Sequence, residues 1–147
     1  MNKTARNITM AALLGLAAYV AVGQIAKPSE PQTLAEGLAI AAKRLNKEEP
    51  AKLHEWAVRT NTVAEGNTLT YSITMPLLPS SDLDTDSIMD LHNELKGMIV
   101  REACVDPVMM AGMRQGASYR YEFHTNDGSM VSGFAANKTA CLQMGIR

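Results

Sequence analysis

The chain has 147 residues, a net charge of −1, and lysine, arginine, aspartate and glutamate scattered along it, so it carries no basic footprint for nucleic acid or acidic lipid. Its length leaves room for one small domain beyond its N-terminal segment. Aromatic residues are few and methionine is frequent, a residue that fills irregular cores and also makes adaptable binding surfaces.

Ile8 to Ala26 reads ITMAALLGLAAYVAVGQIA without a charged side chain, with Lys3 and Arg6 before it and Lys27-Pro28 after it. About 20 apolar residues at roughly 1.5 Å each span the roughly 30 Å hydrocarbon layer of a bilayer. The segment therefore reads as a single-pass anchor or a secretory signal. Ala21-Val22-Gly23 supplies a small-x-small cleavage site that would leave Gln24 first. In both cases the basic residues stay cytoplasmic and the remainder is exported. A buried helix of a soluble domain is the competing reading.

Lys27 to Pro31 forms a short linker, since its two prolines stop a helix from running on. Thr33 or Gln32 opens a helix whose stripe is Leu34, Leu38, Ala41 and Leu45. Pro50 ends it, or kinks it before a short second turn through Leu53 and His54. Trp56 to Val63 reads as a strand, Gly66 as a turn residue, and Thr68 to Met75 as a second strand with clean alternation. A second helix is expected from about Asp86 to Ala103. Asp106 and Pro107 open a short third one that ends near Gly116. Tyr119 to Thr125 alternates again, Asn126-Asp127-Gly128 is a hairpin turn, and Ser129 to Ala136 returns.

The predicted fold is α+β. A transmembrane or signal helix precedes an α-ββ-αα-ββ domain, whose roughly four-stranded antiparallel sheet packs on helices. The expected division is 1–27 as anchor or signal, 28–54 as linker and helix, and 55–147 as a disulfide-stapled unit.

Candidate chemistry is sparse. Asp82, Asp84 and Asp86 begin like a calcium loop, but Ser87 and Asn93 stand where it needs Gly and Glu. Acids at a helix start account for them better. His54, His92 and His124 fall on different elements with no second ligand at metal spacing. Ser80 and Ser81 lack a nucleophile-elbow setting, and no glycine-rich phosphate loop is present. No catalytic residue, metal or cofactor is expected, and the chain is not expected to be an enzyme. Cys104 and Cys141, both in the exported part, form a bridge or remain two buried thiols. Met109, Met110 and Met113 can make a partner-binding patch on the third helix or pack against the sheet.

Thr68 to Thr74, Cys104 with Pro107, Tyr119 to Gly128, and Cys141 follow one another in an order that resembles a group of small exported proteins of Gram-negative bacteria. The likeness covers roughly residues 55 to 141. It implies an envelope location and a Cys104–Cys141 bond, and it implies no activity. The function expected is that of a non-catalytic, membrane-tethered periplasmic interaction module, part of an envelope assembly and bound to a protein partner there. An immunity or inhibitor protein against a periplasmic toxin or hydrolase is the alternative. The expected location is the inner membrane, single-pass through residues 8–26 with the C-terminal domain in the periplasm, or the periplasm after cleavage.

Overall fold

A computed structural model describes residues 33–147. The apolar stretch 8–26 lies outside the described residues. No helix within them is long and apolar enough to cross a membrane.

Thr33 opens α1 (Leu34–Lys47) with a reciprocal cap: its side chain accepts from the Glu36 backbone N–H, and Glu36 accepts from the Thr33 N–H. The helix buries Leu38, Ala41, Ala42 and Leu45. Where a helical turn was expected after Pro50, the chain forms a short strand, β1 (Ala51–His54), antiparallel to β2 (Ala57–Glu65). Four residues carry no period of their own, so pairing with β2 decides their conformation. β2 pairs with β3 (Thr68–Met75) across the Gly66 turn, where φ is +55°.

α2 (Thr85–Val105), α3 (Pro107–Arg114), β4 (Ser118–Thr125), β5 (Met130–Ala136) and α4 (Lys138–Gln143) complete the chain. The last helix was not foreseen; Asn137 caps it by accepting from the Ala140 N–H at 2.9 Å.

The sheet has five strands in the order β1-β2-β3-β4-β5, which corrects the expectation of four. It is also not wholly antiparallel, because β3 and β4 run parallel in continuous register from Thr68↔Ser118 to Met75↔Thr125. A parallel pair needs a long crossover, and residues 76–117 with α2 and α3 supply it. The two hairpins meet side by side at this seam.

Burial alternates strictly along β3 and β4. Leu69, Tyr71, Ile73, Tyr119, Tyr121 and Phe123 face the helices, and Thr68, Thr70, Ser72, Thr74, Arg120 and Glu122 face the open side. α1 and β1 share one core with residues 55–147.

Asn46, near the end of α1, bonds the Thr62 backbone twice: its Nδ2 donates to the Thr62 carbonyl at 2.8 Å, and its Oδ1 accepts from the Thr62 N–H at 2.9 Å. A helix of 14 residues is about 21 Å long, so α1 lies over the sheet only if it starts level with Ala57. Thr33 therefore stands at the end of the sheet formed by the β1–β2 turn, the close of β3 and β4, and the start of β5. We call this the leader end, after the expectation for the sequence that precedes Thr33, and the opposite one the far end.

Candidate interaction site

The far end is built where α2, α3 and α4 converge. Asp106 caps α3 by accepting from the Val108 and Met109 N–H groups at 2.9 and 2.8 Å, with Pro107 in the first turn. Cys104 on α2 and Cys141 on α4 are joined by a disulfide with Cα atoms 5.5 Å apart. Met113 Sδ lies 3.6 Å from Cys141 Sγ.

Met109 and Met113 are 1% and 2% exposed, and only Met110 reaches the surface, half-buried. Of the two alternatives for the three methionines, Met109 and Met113 take the core one, and Met110 alone is left for a surface role. The cause is a close approach of α3 to β4. An added Cβ at Gly112 would meet the Tyr119 hydroxyl oxygen at 2.1 Å, so only glycine lets that ring end against the helix. The Tyr121 hydroxyl points at Met109 Sδ, 3.9 Å away.

The apolar side chains that do face water at this end are Val105 (63% exposed), Leu142 (53%) and Met144 (37%). Val105 and Leu142 each directly follow one of the bridged cysteines, so the disulfide holds their backbones side by side. Sequence reasoning missed them; the signal was an apolar residue directly after a half-cystine near the end of a helix.

Two other surfaces are bare. The open face of the sheet carries small polar side chains and the exposed Arg120–Glu122 pair at 3.0 Å, worth little in water. β5 is an edge strand without lysine, arginine, aspartate, glutamate or proline. Among the described residues it bonds no backbone beyond β4. The β1 edge is short, carries Lys52 and follows Pro50, features that discourage strand addition.

At the leader end, Asp127 of the β4–β5 turn accepts from the Ser80 and Thr125 hydroxyls. These bonds, the one from Ser80 foremost, hold its carboxyl down to about 2. Asn126 adds bonds to the Leu78 and Pro76 carbonyls, which latches the loop after β3 to the turn.

The buried polar groups look structural. Glu49 Oε1 accepts from Arg59 Nε and from the Thr62 hydroxyl, both at 2.6 Å, with the two ion-pair side chains 3% and 4% exposed. Burial pushes Tyr119 up to about 12 and raises Tyr71 and Tyr121 as well, so all three hydroxyls stay protonated. His92 Nδ1 lies 2.9 Å from Ser132 Oγ, yet among the described residues no carboxylate bonds the other ring nitrogen. His54 and His124 sit on different elements from it. Among the described residues no cluster of three His, Cys, Asp or Glu side chains could hold a metal ion.

No protein-family model and no curated protein sequence matches this chain. Solved structures do. The pilotin EpsS of the Vibrio vulnificus type 2 secretion system superposes with a TM-score of 0.60 at 14% identity, over 74% of this chain and 91% of that one. The type II secretion system pilotin AspS of Vibrio cholerae gives 0.55 at 18%, over 74% and 92%. A secreted protein of Pseudomonas aeruginosa gives 0.54 at 13%, over 76% and 99%. The fold is shared with secretion pilotins. At these identities the likeness concerns architecture: the α+β core with its mixed sheet is one that exported proteins of Gram-negative bacteria adopt.

Proposed function

We propose that this protein is a non-catalytic accessory of an envelope assembly that binds a protein partner outside the cytoplasm. The observation that carries the reading is the shared fold with two pilotins of type II secretion systems, each covered over more than nine-tenths of its length. The apolar leader at residues 8–26 agrees with it, because it would send the chain out of the cytoplasm. In this reading residues 1–27 are signal or anchor, and everything from residue 28 works in the periplasm. The Cys104–Cys141 bond fits the same compartment, since disulfides persist where thiols are not kept reduced. The bare surfaces then serve recognition, with specificity from shape and charge.

The test is affinity purification of a tagged copy at native expression from detergent-solubilised membranes, with intact-mass measurement of the recovered chain. One envelope protein is expected in fixed proportion, and deletion of the gene should impair the assembly to which that protein belongs. Recovery of the protein alone, as a monomer, in a strain whose deletion leaves envelope assemblies intact would refute the reading. The intact mass separates a retained anchor from a cleaved signal at Gln24.

A further inference from the structure

Resting on the interaction reading above, we propose that the far end, around the disulfide, is the docking surface, and that the partner presents an acidic, amphipathic segment to it.

The basic side chains of the domain are unevenly placed along the strand axis. Asp82, Asp84, Asp86, Asp90, Asp127 and Glu55 lie at the leader end, in segments 54–57, 76–90 and 125–130, which contain no lysine or arginine. Arg101, Arg114, Lys138 and Arg147 lie at the far end, where Glu65 closes β2, Glu102 is buried and Asp106 is occupied in capping α3.

The two ends differ in what their charges do. Asp84 caps α2 through the Ser87 N–H at 2.8 Å, and Asp127 holds the loop latch. The far-end bases have no such occupation. The ion pairs among the described residues are Glu49–Arg59 and Arg120–Glu122, and Arg101, Arg114, Lys138 and Arg147 enter neither.

Exposed apolar side chains occur at both ends, Leu77, Met89 and Met130 at the leader end, but only at the far end do they share helix faces with free bases. Arg101 is one helical step of four before Val105 on α2, and Lys138 is the same step before Leu142 on α4. All four are exposed. The disulfide holds the two helix segments that carry these apolar and basic pairs together, with the cysteine Cα atoms 5.5 Å apart. An apolar centre flanked by Arg101 and Lys138, beside an Asp106 whose carboxylate is taken up by two backbone N–H groups, favours a ligand that is apolar on one side and acidic at its margins.

Geometry argues against a bilayer as the occupant. Thr33 is at the leader end, and residues 27–32 span at most about 20 Å when extended. The far end is about 26 Å further along β3, at about 3.3 Å per residue. A surface directed away from the leader meets proteins of the envelope rather than the lipid its own chain came from. The acidic end of a second copy is the remaining competitor.

The test is photo-crosslinking from the full-length protein in its own host, with a benzophenone side chain placed at position 105 or 142, or, as controls, at 72 on the open face or 77 at the leader end. Expected are adducts to one protein from 105 and 142, mapped to a segment rich in Asp or Glu and in apolar residues. Arg101→Glu with Lys138→Glu should lower their yield about tenfold or more, while Arg101→Lys with Lys138→Arg retains it. A cooperative unfolding transition measured on each variant verifies that it has folded. Adducts confined to 72 or 77, adducts to lipid or to a second copy of this chain, or a yield unmoved by charge reversal would each overturn the proposal. Absence of any protein adduct from all four positions would instead bring down the interaction reading on which it stands.

Discussion

Gly112 and Tyr119 give the sharpest stability prediction. In Gly112→Ala the new methyl would lie 2.1 Å from the Tyr119 hydroxyl oxygen and 3.2 Å from Cζ, on a ring that is 0% exposed. Overpacking of this kind costs about 1–3 kcal/mol. Alanine in place of glycine in a helix returns up to about 1 kcal/mol, so a net loss of about 1–2 kcal/mol is expected. Tyr119→Phe alone should be close to neutral or stabilising, because that hydroxyl is buried with no hydrogen-bond partner. In the double variant the 2.1 Å clash is gone, the 3.2 Å contact relaxes by a few tenths of an ångström, and the helical gain remains. Gly112→Ala should then be neutral or stabilising when combined with Tyr119→Phe, a coupling of about 1–3 kcal/mol. Urea unfolding of the four proteins measures it. Additivity within about 0.5 kcal/mol would refute the claim that Gly112 is there to admit the tyrosine.

Glu49→Ala strands Arg59, a buried cation, and should cost about 3–5 kcal/mol in the same assay, whereas replacing both partners by methionine should recover most of the loss. Cys104→Ala with Cys141→Ala removes a cross-link between residues 37 apart in sequence, and a loss of about 3–4 kcal/mol is expected in chemical unfolding. Burial raises the Glu102 carboxyl, so the folded state binds that proton more tightly than the unfolded chain. Its contribution is fully present below the unfolded carboxylate range and fades as pH rises through the raised value. Glu102→Gln should therefore stabilise at pH 7 and make no difference below about pH 4, as read from unfolding midpoints across pH. Asp127 has the opposite sign: its depressed carboxyl stabilises above the normal range and stops doing so as pH falls toward about 2. Asp127→Asn should lose stability at pH 7 and match the parent in strong acid.

Elements whose pattern is local were legible. The stripe of α1, the alternation of β3 and β4, the Asp106-Pro107 start of α3 and the turn around Gly128 are all visible in the sequence and stand where expected. What escaped was non-local. β1 has no pattern of its own and exists because β2 offers it a ladder. The parallel seam was implied by the long helical connection between the hairpins, but hairpin patterns alone say nothing about how two hairpins meet. The Glu49–Arg59 pair was invisible because isolated charges in a sequence give no sign of burial. At the far end the cysteines were legible, and the surface they organise was not. The methionines drew attention by their number, yet Met109 and Met113 fill space, while the single residues following each cysteine reach the water.

The seam between β3 and β4 joins partners about fifty positions apart, whereas most other ladders and helix contacts fall within 33–75 or within 85–143. The molecule is in effect two locally wired pieces zipped along one line. A nick in the solvent-facing stretch between them would leave both pieces with their own hairpins, so a chain supplied as two fragments has the information to reassemble. A newly made chain can complete each piece as it emerges, leaving the central zip, with its high loop-closure entropy, for last.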